Sequence, residues 1–253
     1  MTEKEILKYL LRINFTGYPG VNLETLTRLQ KLHLLNIPFE NLDIYTGKPI
    51  TLNIRNFYEK IVIHKRGGFC YELNGLFFEL LSVLGFNAYM VSARVFETQD
   101  TFGDEFDHLA IIVVIDGINW LADVGFGEFA FAPLKISIGE EQKDERGFFR
   151  INNFDNNYLV VQKKSSEGWK NEYLFSMKPK VLNDFTEKCE YHQTSAESHF
   201  TRKKLCSIPL INGRITLTDK ILKISNDNST EETEVKNEAH FNKLLKKYFN
   251  IEM

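Results

Sequence analysis

Apolar residues recur at helical spacing through the first third of the chain. Ile6, Leu7, Leu10 and Leu11 share one face of a predicted helix. Leu26, Leu29, Leu32 and Leu35 form a second stripe, with Asn22 placed to cap its helix. Ile54, Phe57, Tyr58, Ile61 and Val62 form a third behind Asn53, and Gly67 and Gly68 stop it. A fourth carries Leu73, Leu76, Phe77, Leu80, Leu81 and Leu84, and Gly85 stands at the C′ position that favours glycine.

Near residue 87 the texture changes. Segments 88–96, 109–115 and 118–124 are short, rich in β-branched and aromatic residues, and bounded by turn residues, so they predict strands. Asp116-Gly117 between two of them predicts a two-residue hairpin. Further strands are expected at 158–162, 172–175, 214–217 and 221–224, and the polar runs 140–146 and 226–234 read as surface loops. Phe241, Leu244, Leu245 and Tyr248 predict a closing helix. Helices first, then many strands, then a helix describe an α+β chain with segregated parts rather than alternating βαβ units.

The chain has 253 residues, 43% of them hydrophobic, enough for one large domain or two to three small ones. A net charge of −3 gives no reason to expect nucleic acid as partner. No run of apolar residues is long enough for a membrane span. The charged, amphipathic first residues lack the apolar centre of a secretory signal. Cys70, Cys189 and Cys206 are three in number and far apart, neither a disulfide framework nor a metal pair. A reducing cytoplasm is therefore the expected compartment, where a lone cysteine is a small hydrophobe or a nucleophile.

The sharpest local feature is RGGFCYELN, residues 66–74. It puts Cys70 in the first turn of the fourth helix, where unpaired backbone N–H groups and the helix dipole favour a thiolate. The i, i+3, i+7 spacing of Cys70, Leu73 and Phe77 turns the sulfur toward the interior. This segment alone fits a structural cysteine as well as a nucleophile. The hairpin adds two residues. Ile115 opposite Ile118 sets Ala110 opposite Asp123, so His108 and Asp123 become diagonal neighbours on one face, about 7 Å apart at Cβ. A carboxylate there can hold one imidazole nitrogen and leave the other for a thiol. Such a trio supports acyl transfer, and it serves proteases, transglutaminases and acyltransferases alike.

Several segments together resemble the arylamine N-acetyltransferases. RGGFCYELN looks like that family's RGGxCxExN signature, IPFENLD (37–43) like its second signature, and FDHLAII and ADVGFG like its histidine and aspartate segments. The intervals agree, 38 residues from Cys70 to His108 and 15 more to Asp123. YHQTSAESHF (191–200) resembles a segment near the CoA pocket. The resemblance implies a helical bundle (1–86) with nucleophile Cys70, a β-barrel (87–190) with His108 and Asp123, and a C-terminal α/β lid (191–253), the first two related to papain-like cysteine proteases. It implies ping-pong transfer of acetyl from the co-substrate acetyl-CoA, through a Cys70 thioester, to an arylamine, hydrazine or arylhydroxylamine, as in xenobiotic metabolism. It implies no permanently bound cofactor and no metal, and a monomer or homodimer. Phe126 and Gly127 match acceptor-pocket positions, and Tyr191 a CoA-side position. Ala196 stands where the family often has proline, and DVGFGEFAFAPL lacks a frequent glycine and proline spacing. A cysteine hydrolase or a transglutaminase-like acyl transfer on the same trio, or a non-catalytic scaffold, are the alternatives.

Glu40 and Arg66 are expected to pair beside the site, since a lone buried charge is strongly unfavourable. Arg202, Lys203, Lys204 and Arg214 read as a solvated basic face, with CoA phosphates as the other reading. The remaining histidines show no metal spacing, and Cys189 and Cys206 read as inert.

Overall fold

The computed structural model describes every residue except 99, 227 and 228. The N-terminal elements are α1 (Glu3–Arg12), α2 (Leu23–Asn36), β1 (Phe39–Glu40), α3 (Leu42–Tyr45), α4 (Ile54–Tyr58) and α5 (Cys70–Val83). A single π turn, Glu59–Ile63, continues α4. The two predicted asparagine caps form. Asn22 Oδ1 accepts from Thr25 N at 2.9 Å, and Asn53 Oδ1 accepts from Arg55 N at 2.8 Å. Gly85 ends α5 with φ +94°, a left-handed conformation.

One helical face is turned from its expected direction. Leu7 and Leu11 are 61% and 72% exposed, and α1 buries Tyr9 and Leu10 with the following Ile13 instead. The guanidinium of Arg12 sets this rotation by donating to Ile61 O at 3.1 Å and Asn36 O at 2.6 Å.

The central strands are β2 (Asn87–Val95), β3 (His108–Ile115), β4 (Ile118–Ala122), β5 (Leu134–Lys135), β6 (Gln142–Asp144), β7 (Gly147–Asn153), β8 (Leu159–Ser165) and β9 (Gly168–Phe175). They form one antiparallel sheet in the order β5-β4-β3-β2-β9-β8-β7-β6, curled into a nearly closed barrel. Gln142 stitches the seam. Its amide accepts from Lys135 N at 2.7 Å and donates to Lys135 O at 2.8 Å, doing for the edge what a ladder pair would.

The C-terminal part holds α6 (Thr186–Thr194), α7 (His199–Arg202), β10 (Leu205–Leu210), β11 (Gly213–Thr218), β12 (Ile221–Asn226), β13 (Thr230–Glu234) and α8 (Glu238–Phe249). The second sheet runs β1-β10-β11-β12-β13. Two residues of IPFENLD therefore tie it to the helices, through Phe39 opposite Ser207 and Glu40 opposite Cys206. Phe241 and Leu245 of α8 cover this sheet over Leu217 and Leu222.

Both runs expected to be loops contain strands. β6 lies within 140–146 and β13 within 226–234, of which 227 and 228 lie outside the described residues. Each ends its sheet and exposes polar side chains, so neither needs the apolar alternation by which a strand is recognised. β7 falls in a segment for which no strand was expected.

The strand β3 divides the core. Leu109, Ile111 and Val113 pack with Leu73, Leu76 and Leu80 of α5. Ala110 and Ile112 point into the barrel, among Val91, Leu121 and Tyr173. His108 begins β3 and Asp123 follows β4, so both stand at the end of the sheet where α5 begins.

Candidate active site

The hairpin has the predicted register. Ile115 pairs with Ile118 and Ile111 with Ala122, and Asp116 and Gly117 both take positive φ, 51° and 76°. Asp123 follows the last paired residue. Its Oδ2 lies 2.6 Å from His108 Nε2. Both side chains are buried, His108 being only 2% exposed.

Three further donors hold the other carboxylate oxygen. Oδ1 accepts from Asn74 Nδ2 at 2.8 Å, Gly125 N at 2.8 Å and Phe126 N at 3.0 Å. Burial alone would raise the Asp123 carboxyl. The His108 imidazole, Asn74 and Gly125 outweigh it and hold the group below the usual carboxylate range. An ionised Asp123 can only accept, so Nε2 of His108 carries the shared hydrogen, and in a neutral ring of that tautomer Nδ1 is the nitrogen with the lone pair.

Cys70 opens α5 and is 4% exposed. Gly67 lets this turn form, because a Cβ there would collide with Pro38 O as the chain crosses the residue 38–40 segment. Gly125 brings the aspartate loop onto the helix. A Cβ on it would stand 2.9 Å from Cys70 Cα and 2.7 Å from Asn74 Nδ2. Burial pushes the Cys70 thiol up, and the carboxylates of Asp107 and Asp123 push the same way. The helix start was expected to favour the thiolate, and the Tyr71 N–H does so, but burial outweighs it.

The Glu40–Arg66 pair forms, with Arg66 Nη2 2.7 Å from Glu40 Oε1. It belongs to a larger buried cluster. Lys60 Nζ lies 2.9 Å from Glu72, 3.0 Å from Asp43 and 3.6 Å from Glu40. Glu72 also accepts from Phe69 N at 3.1 Å, which braces the turn just before Cys70.

Phe126 packs edge-on to His108, ring centres 5.6 Å apart, and against Tyr173 at 5.1 Å. The neighbouring Gly127 carbonyl accepts from Arg146 Nη1 at 3.1 Å and from Arg214. Arg214 thus leaves the expected solvated face for the rim beside Phe126, whereas Lys204 pairs with Glu238 at the surface. Tyr191 lies apart from this rim, in a 320 Å³ cleft with Asp104, Glu105, Asp184, Glu187 and Lys188. Carboxylates outnumber the lysine there, a setting adverse to phosphates. Cys189 and Cys206 are buried, and burial pushes the Cys189 thiol up to about 12.

Two polar residues that hold the site went unassigned on sequence grounds. Asn74 sits one turn after Cys70, so its i+4 spacing was an available signal. Gln30 of α2 accepts from Asp123 N at 3.2 Å and donates to Ala130 O at 3.1 Å, and only the fold brings it there.

A cysteine at a helix start and an aspartate-held imidazole, both at one end of a curled sheet, are the groups of an acyl-transfer enzyme, the class they define. The N-acetyltransferase family model matches residues 22–253. The pineal gland isozyme NAT-10 of arylamine N-acetyltransferase from Gallus gallus is 34% identical over 78% of this chain and 76% of its own. The arylamine N-acetyltransferase structure from Salmonella typhimurium superposes with a TM-score of 0.92 at 27% identity, covering 99% of this chain and 92% of that one. The Mycobacterium marinum arylamine N-acetyltransferase in complex with CoA has a TM-score of 0.88 at 29% identity, covering 97% of this chain and 92% of that one. The chain belongs to the arylamine N-acetyltransferase family. Among the described residues no helix is long and apolar enough to cross a membrane.

Proposed function

We propose that Cys70, His108 and Asp123 are the catalytic trio of an acetyl transfer from acetyl-CoA to an arylamine, hydrazine or arylhydroxylamine. The observation that carries this reading is the 2.6 Å bond between His108 Nε2 and Asp123 Oδ2, which leaves Nδ1 as the base. A lone thiolate in this buried setting is costly. Ionisation therefore proceeds as proton transfer from sulfur to Nδ1, which makes an ion pair rather than an isolated charge.

The thiolate attacks the thioester carbonyl of acetyl-CoA, and backbone N–H groups at the start of α5 hold the oxyanion. CoA leaves as a thiol, taking the imidazolium proton. The amine then attacks the Cys70 thioester, His108 removes its proton, and the cysteine is restored. Burial of the sulfur limits water and so favours transfer over hydrolysis. Phe126 and Gly127 border the acceptor. Tyr191 meets the uncharged arm of CoA rather than its phosphates, given its acidic surroundings. The parts are assigned as 1–86, 87–190 and 191–253, the last boundary falling within α6. Three buried free cysteines suit a reducing cytoplasm and a monomer or homodimer, with small-molecule partners and a role in xenobiotic metabolism.

Intact-mass measurement after brief exposure to acetyl-CoA tests the reading. One acetyl adduct, mapped to Cys70, should form and vanish on adding an arylamine. Cys70→Ser should remain folded and take none. An adduct lost equally fast without amine would mean hydrolysis, and no adduct on folded protein would exclude this acyl donor.

A further inference from the structure

The loop after Asp123 is held from three directions. At its start, Gly125 N and Phe126 N donate to Asp123 Oδ1 at 2.8 and 3.0 Å. From the barrel, Arg146 donates to Gly127 O at 3.1 Å and to Phe129 O at 2.6 Å. From the C-terminal sheet, Arg214 of β11 reaches the same Gly127 carbonyl with Nη2. Phe126 therefore rides on a loop to which the barrel and the C-terminal sheet each supply one guanidinium.

Arg214 is itself fixed. Its Nη1 donates to Ser207 Oγ at 2.8 Å, and that hydroxyl lies 2.9 Å from Thr216 Oγ1. Ser207 stands opposite Thr216 in the β10–β11 hairpin, so Arg214, Thr216 and Ser207 share one face of it. Arg214 Nε lies 3.5 Å from Glu128 Oε1, on a carboxylate that Lys163 Nζ meets at 2.8 Å and Arg146 Nη2 at 3.6 Å. Each nitrogen of the guanidinium thus faces a protein oxygen, and the side chain is only 18% exposed. A flat fork of fixed donors suits this set, which a lysine could not satisfy. The group is engaged by the loop rather than left free for a phosphate of CoA.

We infer that Arg214 is a positioning residue that sets acceptor specificity: it ties the C-terminal sheet to the Phe126–Gly127 loop and so fixes the width of the acceptor mouth. The ring of Phe126 lies edge-on to His108. A loop released at Gly127 would shift that wall, while Asp123 would keep Asn74 and Gly125 as donors. The amine step should therefore suffer more than the acetylation of Cys70. The inference rests on Phe126 and Gly127 bordering the acceptor.

Steady-state kinetics with two arylamines of different size test it. In a ping-pong transfer, kcat/KM for acetyl-CoA reports acetylation of the enzyme, and kcat/KM for the amine reports the second step. Arg214→Ala should lower kcat/KM for the one-ring 4-anisidine on the order of five- to tenfold. The value for acetyl-CoA should stay within about twofold of wild type. The two-ring 4-phenoxyaniline should lose less, because a wider mouth admits it. Arg214→Lys keeps the charge without the fork and should behave like Arg214→Ala. If Arg214→Ala does not fold, Arg214→Gln carries the same comparison. A purely structural role would lower the melting temperature and depress both constants alike. Parallel loss of the two constants, an unchanged ratio between the two amines in a folded variant, or full recovery by lysine would overturn the inference. Failure of the acceptor reading shows separately, as a folded Phe126→Ala variant whose kcat/KM for both amines equals that of wild type.

Discussion

Asn74 donates to Asp123 Oδ1 at 2.8 Å while its own oxygen accepts from Val124 N at 2.8 Å, so one amide on the helix that Cys70 opens fixes both the carboxylate and the loop that follows it. The same Nδ2 also donates to Leu109 O at 2.6 Å. Asn74→Ala would leave buried groups unpaired and let Asp123 drift. The expected cost is about 2–3 kcal/mol in stability. Acetylation of Cys70 should slow on the order of ten- to a hundredfold, because a small misplacement of the base is costly in rate. Urea unfolding and single-turnover acetylation check the two effects. A folded variant that acetylates at the wild-type rate would show that the aspartate needs no such support.

Gly125→Ala probes the contact between loop and helix. The added methyl would stand 2.9 Å from Cys70 Cα and 2.7 Å from Asn74 Nδ2, both closer than van der Waals contact. Either the loop lifts or Asn74 turns away, and each separates His108 and Asp123 from the sulfur. We expect a loss of about 1–3 kcal/mol and a drop in acetylation rate greater than that for Gly127→Ala. At Gly127 a Cβ meets nothing nearer than Arg214 Nη1 at 3.9 Å. Equal rates for the two variants would count against the close packing of Gly125.

Which parts of this site could be read from the chain follows from how each residue is placed. His108 and Asp123 were legible because the Asp116-Gly117 turn sets a strand register, and a register assigns every side chain to a face. Cys70 was legible because glycines and an apolar stripe mark where its helix starts. Gln30 was not, since a polar residue on a leucine-rich helix normally faces solvent, whereas this one is buried against the Asp123 backbone. The strand β13 was missed for the converse reason: Thr230–Glu234 lies at a sheet edge, exposed at every position, and carries no buried face to pattern. Leu7 and Leu11 misled because a broad apolar stripe allows more than one rotation, and the Arg12 hydrogen bonds choose among them.

The buried ion cluster yields a prediction about stability rather than chemistry. Lys60→Met would remove the charge that Glu72, Asp43 and Glu40 surround, leaving three buried carboxylates with Arg66 alone. Breaking such a cluster on one side costs about 3–5 kcal/mol. Without Lys60, at least one carboxyl would have a folded-state pKa above its unfolded value. The folded state would then bind an extra proton as pH falls, so the deficit should shrink between pH 7 and pH 5. Urea unfolding of wild type and variant at both pH values gives the comparison. A deficit that stays constant with pH would mean that the three carboxylates do not share the lost charge.

His33 supplies the opposite sign. Its ring is buried between Tyr9 and Phe77, and among the described residues neither nitrogen has a hydrogen-bond partner. Burial, aided by the positive Arg12, lowers its pKa from 6.5 to about 3. The unfolded chain therefore takes a proton as pH falls through 6.5, while the folded chain stays neutral until about 3. Stability is full above the unfolded value and is lost on acidification, by about 2 kcal/mol between pH 7.5 and pH 5. His33→Leu removes both the titration and an unpaired buried polar ring. It should match or exceed wild type by about 1–2 kcal/mol at pH 7.5. Its lead should widen by about 2 kcal/mol at pH 5. Because His33 lies away from Cys70, the acetylation rate at pH 7.5 should hold. Unfolding curves that move in parallel for the two proteins between these pH values would show that His33 is not the residue whose neutrality the fold enforces.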